Sequence, residues 1–212
     1  MNSTTLPLAI HDCLQNDMQI DMDHFYSKYG GFDNSFKEIA NELLLGYLSA
    51  SNQSSSFNDI ADFYEDGNDE QNEFLQAMFD CFKCYQTLEG IELIKDLYSH
   101  VNRGGNAWFP VVILHKPFED YSKTLPNYIT IYRGCDKIEY ETGNIHQSWT
   151  TDFDTAKRYA YEHFHGIDKS KRIVLKANVS PTQIVWIRSI DNEVVLKPNP
   201  ELSDLELLER YN

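Results

Sequence analysis

The chain has 212 residues, of which 42% are hydrophobic and 13% are aromatic, a composition typical of a packed globular protein. The longest apolar run, Trp108–Leu114, is too short to cross a bilayer, and the N-terminus lacks the basic and apolar regions of a secretory signal. We therefore expect a cytoplasmic protein that makes no contact with a membrane.

The formal net charge of −15 is distributed unevenly. Residues 1–121 carry 6 basic against 20 acidic residues, whereas residues 122–212 carry 12 against 13. An acidic surface repels a phosphate backbone and favours a basic protein partner, although solubility is the commoner reason for such a charge. A basic protein partner is therefore a possible consequence of the charge on the N-terminal half, with solubility as the alternative.

Helices are predicted for the first hundred residues. Ser35 followed by Glu38 resembles a capping box, and the apolar spacing after it predicts an amphipathic helix that ends near Ala50. Gly90 interrupts a longer helical pattern, whose aromatic residues are expected in the core. The further helical segments are expected over residues 58–64, 74–85 and 91–98.

Four cysteines are scattered along the chain, and only Cys81 and Cys84 form a CxxC pair. No second pair with zinc-ligand spacing accompanies them, and both lie on a predicted helix. A buried helix face explains their spacing better than metal binding or redox chemistry does. We expect no metal site.

Short strands follow from about Tyr128, and one helix that begins near Thr151 or Asp152 interrupts them before it closes at residues 165–166. This order predicts an α+β fold with a largely antiparallel sheet. We therefore expect an acidic helical subdomain over 1–105, a connection over 106–127 with one buried element at 108–114, and a core over 128–212. The predicted strands lie within residues 128–134, 146–152, 172–179, 183–188 and 192–197.

Three short patterns on these strands carry chemistry: Tyr132-Arg133-Gly134, Ser148-Trp149-Thr150-Thr151 and Asp191-Asn192-Glu193. Together, and in this order, they resemble the R-S-E motif of ADP-ribosyltransferases related to arginine-modifying toxins and ecto-enzymes. In that family an Arg lies on the first core strand, a Ser-x-Thr on a second, and a catalytic Glu opens a later one. The resemblance covers roughly residues 125–200.

The resemblance implies a compact antiparallel β-sandwich core and a mono-ADP-ribosyltransferase that cleaves the nicotinamide–ribose bond of NAD⁺. Arg133 would hold the pyrophosphate through its forked donors, and Gly134 would let the backbone approach the ligand. Glu193 would stabilise the positive charge that develops on the ribose. Ser148 would fix the rotamer of Glu193.

Further contacts with NAD⁺ are expected from the same resemblance. Thr150 would brace the second strand beside the site, and Trp149 would pack either under the site or in the core, with strand alternation favouring the core. Tyr132, Tyr161 and Phe164 are candidates for stacking on nicotinamide, and Phe164 is the best placed of the three.

Asp191 departs from the family pattern, because arginine-modifying members carry Glu or Gln two residues before the catalytic Glu. The shorter Asp could still orient or deprotonate an acceptor. The acceptor therefore stays open: a protein side chain is favoured and a nucleic-acid group is an alternative. The family suggests a bacterial or phage conflict protein of the toxin type.

Three other functions compete with the transferase. The same fold could hydrolyse NAD⁺, so that water is the acceptor. It could also be a catalytically inactive inhibitor that binds a protein, although the intact Arg, Ser-x-Thr and Glu disfavour this. Finally, the chain could be a helical interaction module with an accessory β-domain that has no connection with NAD⁺.

Overall fold

The computed structural model of the chain describes residues 5–50, 67–99, 108–163 and 168–211. It divides into two compact units, Met1–Ile113 and Leu114–Asn212. Their boundary falls inside the segment 106–127, which the sequence predicts to be a connection. The helix predicted at 58–64 and the predicted helix end at 165–166 lie outside the described residues.

The first unit is built from helices. α1 continues into a π-helical turn (Cys13–Asp17). The chain breaks at Gly90, where φ is +57°, and this break separates the last two described helices of the unit, as predicted. The helices are α1 (Leu8–Asp12), α2 (Met22–Tyr29), α3 (Asn34–Ser49), α4 (Asp69–Thr87) and α5 (Gly90–Ser99).

The start of α3 differs from the sequence prediction. Asp33 is the N-cap, and its carboxylate accepts a hydrogen bond from the backbone N–H of Phe36 at 2.8 Å. The capping box predicted at Ser35 is therefore wrong, because the aspartate two residues earlier already satisfies the free N–H. A capping box does begin α4, where Asn68 and Gln71 each accept from the other's backbone N–H.

Aromatic side chains form the core of the first unit, with Phe74 of α4 at their centre. Residues 108–113 belong to this unit, since Val112 pairs with Ile20 and the Asp21 N–H donates to the Val111 carbonyl at 2.8 Å. The phenylalanine side chains of the predicted helical pattern are buried in the core, as predicted. Ring centroids lie 5.2–6.2 Å from that of Phe74 for Phe25, Tyr29, Phe32, Phe36 and Trp108.

The CxxC pair lies on a buried helix face, as predicted. Cys81 and Cys84 are buried on α4, and neither forms a disulfide. Burial raises the pKa of the Cys81 thiol well above its ordinary value, which keeps the sulfur protonated and unreactive.

The described residues of the second unit form one antiparallel sheet with two α-helices, so the α+β class is confirmed. Its strands have the spatial order β4-β5-β2-β1-β3-β6. The elements are β1 (Ile129–Asp136), α6 (Lys137–Thr142), β2 (Ser148–Thr150), α7 (Phe153–Tyr161), β3 (Arg172–Val179), β4 (Ile184–Arg188), β5 (Glu193–Leu196) and β6 (Leu202–Arg210).

Five of the six strands in the described residues match predicted ones, whereas β6 and α6 were not predicted. The sequence of β6 is rich in Leu and Glu, which are helix formers, and pairing with β3 imposes the strand. Hydrogen bonding joins all six described strands into one sheet, and the compact antiparallel β-sandwich implied by the resemblance stays a prediction. Apolar side chains from both halves of this sheet nevertheless enter one core cluster, with Ile131 and Val179 from one half and Ile184 and Leu196 from the other.

Alternation along the strands separates two faces of the sheet. Ile131, Cys135 and Trp149 enter the main core cluster on one face. On the other face, Tyr132 and Val174 pack against helix α7. Ser148 and Thr150, which flank Trp149 on β2, therefore point to the face opposite the main core.

Helix α7 lies directly on β1 at Gly134. A Cβ atom at this position would meet the carbonyl oxygen of Ala156 and, at 2.5 Å, the backbone nitrogen of Ala160. Arg172 holds the end of the helix, because its guanidinium donates to the carbonyls of Tyr159 and Ala160, both at 3.2 Å. Gly134 thus leaves room for a helix and not for a ligand, which corrects the sequence prediction.

Among the described residues, every helix is too short or too polar to span a bilayer.

Gly134→Ala tests the contact between α7 and β1. We expect it to lower the free energy of unfolding by about 3 kcal/mol, because the clashing atoms are backbone and cannot move aside. The matched control is Gly31→Ala, whose Cβ would lie 3.4 Å from the Lys28 carbonyl and should change stability by less than about 0.5 kcal/mol. Urea denaturation measures both, and equal midpoints for the two variants would contradict the packing described.

Candidate active site

The register of β2 and β5 brings Ser148 and Glu193 together. Ser148 lies opposite Val195, and Thr150 lies opposite Glu193. Ser148 and Glu193 are therefore diagonal neighbours on one face of the sheet, within reach of each other's side chains. The Ser148 hydroxyl donates to Glu193 Oε1 at 2.7 Å.

Arg133 joins this pair from β1. Tyr132 of β1 pairs with Thr150 of β2. The next residue of β1, Arg133, donates from Nη1 to the backbone carbonyl of Ser148. Its Nε and Nη2 both donate to Glu139 Oε2, at 3.0 and 2.8 Å. Both side chains of this ion pair are only 11% exposed. Glu139 lies on α6, which the sequence did not predict, so this partner was missed.

The second oxygen of Glu193 is bound by Arg188. Arg188 Nη1 lies 2.5 Å from Glu193 Oε2, and its guanidinium carbon lies 5.0 Å from the ring centroid of Trp186. The two charged residues face each other across the β4–β5 hairpin. The sequence held a signal for this pair, since Arg188 ends one predicted strand and Glu193 lies near the start of the next.

The four-residue connection of this hairpin is fixed to β2. Asp191 and Asn192 have φ of +56° and +49°, which these residue types tolerate better than most others. The Thr150 hydroxyl donates to the Asp191 carbonyl at 2.7 Å, and the Thr151 N–H donates to the Asn192 carbonyl at 3.1 Å. The loop before Glu193 is therefore held by β2.

The Asp191 carboxylate is engaged by α7. Arg158 Nη2 donates to Oδ1 at 2.6 Å, and the Tyr159 hydroxyl donates to Oδ2 at 2.8 Å. Burial, followed by this bond and the charge of Asp191, raises the pKa of Tyr159 to about 12, so the phenol remains a donor. Asp191 was expected to orient an acceptor, and both of its oxygens are instead held within the protein.

The other residues that were predicted to contact NAD⁺ are not part of this hydrogen-bonded group. Trp149 is 2% exposed in the main core, so its assignment to NAD⁺ binding is wrong and the core alternative is confirmed. Thr150 is 5% exposed and braces the loop, so it is not a ligand contact. Tyr132 packs edge-on against Phe153 at 5.6 Å. Phe164 lies outside the described residues.

Arg133, Ser148 and Glu193 therefore form one hydrogen-bonded set, as their motif order predicts. Each residue that contacts Ser148 is itself in an ion pair: Arg133, which donates to the Ser148 carbonyl, pairs with Glu139, and Glu193, which accepts from the Ser148 hydroxyl, pairs with Arg188. A cavity of about 460 Å³ lies elsewhere in the second unit and is lined by Pro117, Phe118, Glu119, Asp120, Tyr121, Pro181, Thr182 and Ile184.

Comparisons of the chain with protein-family models, with curated proteins and with solved structures each found no match. In the described parts of the chain, no group of three or more His, Cys, Asp or Glu side chains is arranged to hold a metal ion. Function is therefore inferred from the geometry of the site and from its three motifs.

The Arg133–Glu139 pair is expected to carry much of the site's rigidity. Arg133→Gln and Glu139→Gln should each destabilise the protein by about 3 kcal/mol, because each leaves a mostly buried charged group without its partner. The double variant should recover part of this loss, with a coupling energy of about 1–3 kcal/mol.

Lys137 and Glu141 supply the matched control, since they form an exposed ion pair on the same helix. Their coupling should stay below about 0.5 kcal/mol. Urea denaturation measures both cycles, and equal coupling energies for the two pairs would show that burial adds nothing to the Arg133–Glu139 interaction.

Proposed function

We propose that the second unit binds NAD⁺ and transfers its ADP-ribose to a macromolecular acceptor. The observation that carries the proposal is the hydrogen bond between Ser148 and Glu193, made from the starts of two adjacent strands. The link from Arg133 to the Ser148 carbonyl supports it further. These residue types in this chain order are those that the resemblance to ADP-ribosyltransferases implies.

The reaction breaks the bond between the nicotinamide nitrogen and C1′ of the adjoining ribose. The bonding electron pair leaves with nicotinamide, which becomes neutral, and the ribose acquires oxocarbenium character. A nucleophile of the acceptor then bonds to C1′ and loses its proton to a base or to water. NAD⁺ is consumed as a substrate, and the reaction needs no metal or redox partner.

Glu193 supplies the negative charge that this transition state needs. Opposite unit charges about 4 Å apart attract by on the order of 4 kcal/mol at an effective dielectric constant of about 20. This corresponds to about a 10³-fold rate enhancement. Ser148 holds one carboxylate oxygen in place, so that little reorganisation is needed when the charge develops.

Hydrolysis of NAD⁺ is the second candidate, and the state of Asp191 favours it. Both oxygens of this carboxylate are bound, by Arg158 and Tyr159. A carboxylate held in this way is poorly placed to orient a macromolecular nucleophile, and water needs no such guidance. The two candidates share every step up to departure of nicotinamide, and they differ only in what attacks C1′.

The first unit, with its acidic character, is proposed to select the acceptor or to bind a basic regulator such as an antitoxin. Its part in the sequence carries most of the −15 net charge. Complementary charge accelerates association with a basic partner and depends on ionic strength.

Glu193→Gln tests the proposed chemistry directly. The full chain is incubated with total cell lysate and with NAD⁺ labelled in its adenylate phosphate, and label is then measured in protein, nucleic acid and free ADP-ribose. We expect wild type to label a macromolecule and Glu193→Gln to label it about 10³-fold more slowly. Glu201→Gln, an exposed glutamate outside the site, is the matched control and should behave as wild type.

Each other outcome of this experiment is informative. Label found only in free ADP-ribose would favour hydrolysis over transfer. Equal rates for wild type and Glu193→Gln would remove Glu193 from the mechanism. Absence of nicotinamide release by wild type would overturn the proposed function.

A further inference from the structure

The carboxylate proposed to assist NAD⁺ cleavage is bound to a cation in the structure. Arg188 Nη1 lies 2.5 Å from Glu193 Oε2, with side chains 18% and 14% exposed. Trp186 packs beside the guanidinium, 5.0 Å from its central carbon. Glu193 is thus neutralised by a partly buried arginine on the neighbouring strand.

This pairing opposes the proposed reaction. An arginine side chain stays protonated at any physiological pH, so it cannot give up its charge where it lies. Positive charge develops on the ribose during cleavage, and a fixed cation beside Glu193 would repel it and compete for the same carboxylate. Arg188 therefore has to leave Glu193 before the bond breaks.

NAD⁺ itself offers a replacement partner. Its diphosphate carries two negative charges, and a guanidinium binds phosphate oxygens through two parallel N–H donors. Arg133 was expected to fill this role, but it already donates through Nε, Nη1 and Nη2 to Glu139 and Ser148. At most two of its five N–H groups remain for a ligand. A second guanidinium would bind the diphosphate better than Arg133 alone.

We propose that Arg188 exchanges Glu193 for a phosphate group of NAD⁺, so that the substrate's diphosphate releases the carboxylate that assists cleavage. This inference rests on the proposed function and assigns Arg188 a role in substrate choice. Before binding, the ion pair keeps Glu193 inactive. After binding, Arg188 neutralises a phosphate and Glu193 is available to the ribose. Substrates without a phosphate cannot drive the exchange and are cleaved slowly.

The test compares NAD⁺ with nicotinamide riboside, which has the same scissile bond but no phosphate. Nicotinamide release by the full chain is measured for wild type, Arg188→Gln and Arg210→Gln, the last being an exposed control on β6. We expect Arg188→Gln to lower kcat/KM for NAD⁺ about tenfold, mainly by raising KM, because a charge-assisted hydrogen bond is lost. It should raise kcat/KM for the riboside about tenfold, because Glu193 is released.

The ratio between the two substrates should therefore fall about 100-fold in Arg188→Gln and stay unchanged in Arg210→Gln. Circular dichroism and thermal unfolding check that each variant is folded. If Arg188→Gln does not fold, the comparison uses Arg188→Lys, which keeps the charge but lacks the fork and should lower the ratio about tenfold.

Two results would overturn the exchange while leaving the proposed function intact. Equal losses on both substrates would mean that Arg188 only positions Glu193. Unchanged rates on both would mean that the ion pair has no part in the reaction. A wild-type protein that releases nicotinamide from neither substrate would instead refute the proposed function itself.

Discussion

The pairing register between β2 and β5 is the constraint on which the candidate site depends. Side chains alternate between the faces of a strand, so a slip of one residue would move Glu193 to the opposite face from Ser148. Two features hold the register. Apolar Trp149 and Val194, which lie opposite each other, are buried on the core face. The Thr150 hydroxyl meanwhile holds the loop that precedes Glu193.

The charged side chains near the β2–β5 pairing form three ion pairs. Arg133 with Glu139, Arg188 with Glu193, and Arg158 with Asp191 each join one guanidinium to one carboxylate. These three pairs together carry little net charge before a ligand enters. Their guanidinium groups are of the kind that would bind a diphosphate, and their carboxylates are of the kind that would stabilise a developing cation. Binding of NAD⁺ would then proceed by exchange of ionic partners, which avoids leaving a partly buried charge without a partner. Under the proposed function, such exchange would link recognition of the diphosphate to release of the Glu193 carboxylate.

Sequence reasoning located five of the six described strands from local composition, and it located the three central residues from the resemblance that their motifs make together. β-Branched residues mark residues 172–179, and the observed strand β3 has the same bounds. The order of the motifs was sufficient to predict that Arg133, Ser148 and Glu193 meet. Partners that depend on tertiary packing were harder to predict: Glu139 lies on an unpredicted helix, and the carboxylate of Asp191 is occupied only because α7 lies beside it. The role of Gly134 likewise became evident only from the close approach of α7.

A crystal structure of the full-length Glu193→Gln variant grown with NAD⁺ is the most direct test of the central claim. The substitution slows cleavage and keeps the shape of the side chain. We expect the nicotinamide ribose within hydrogen-bonding distance of residue 193 and a phosphate oxygen on Arg188, which has left residue 193. Saturating NAD⁺ that binds elsewhere, or that leaves no density beside Ser148, would contradict the assignment of this site to NAD⁺.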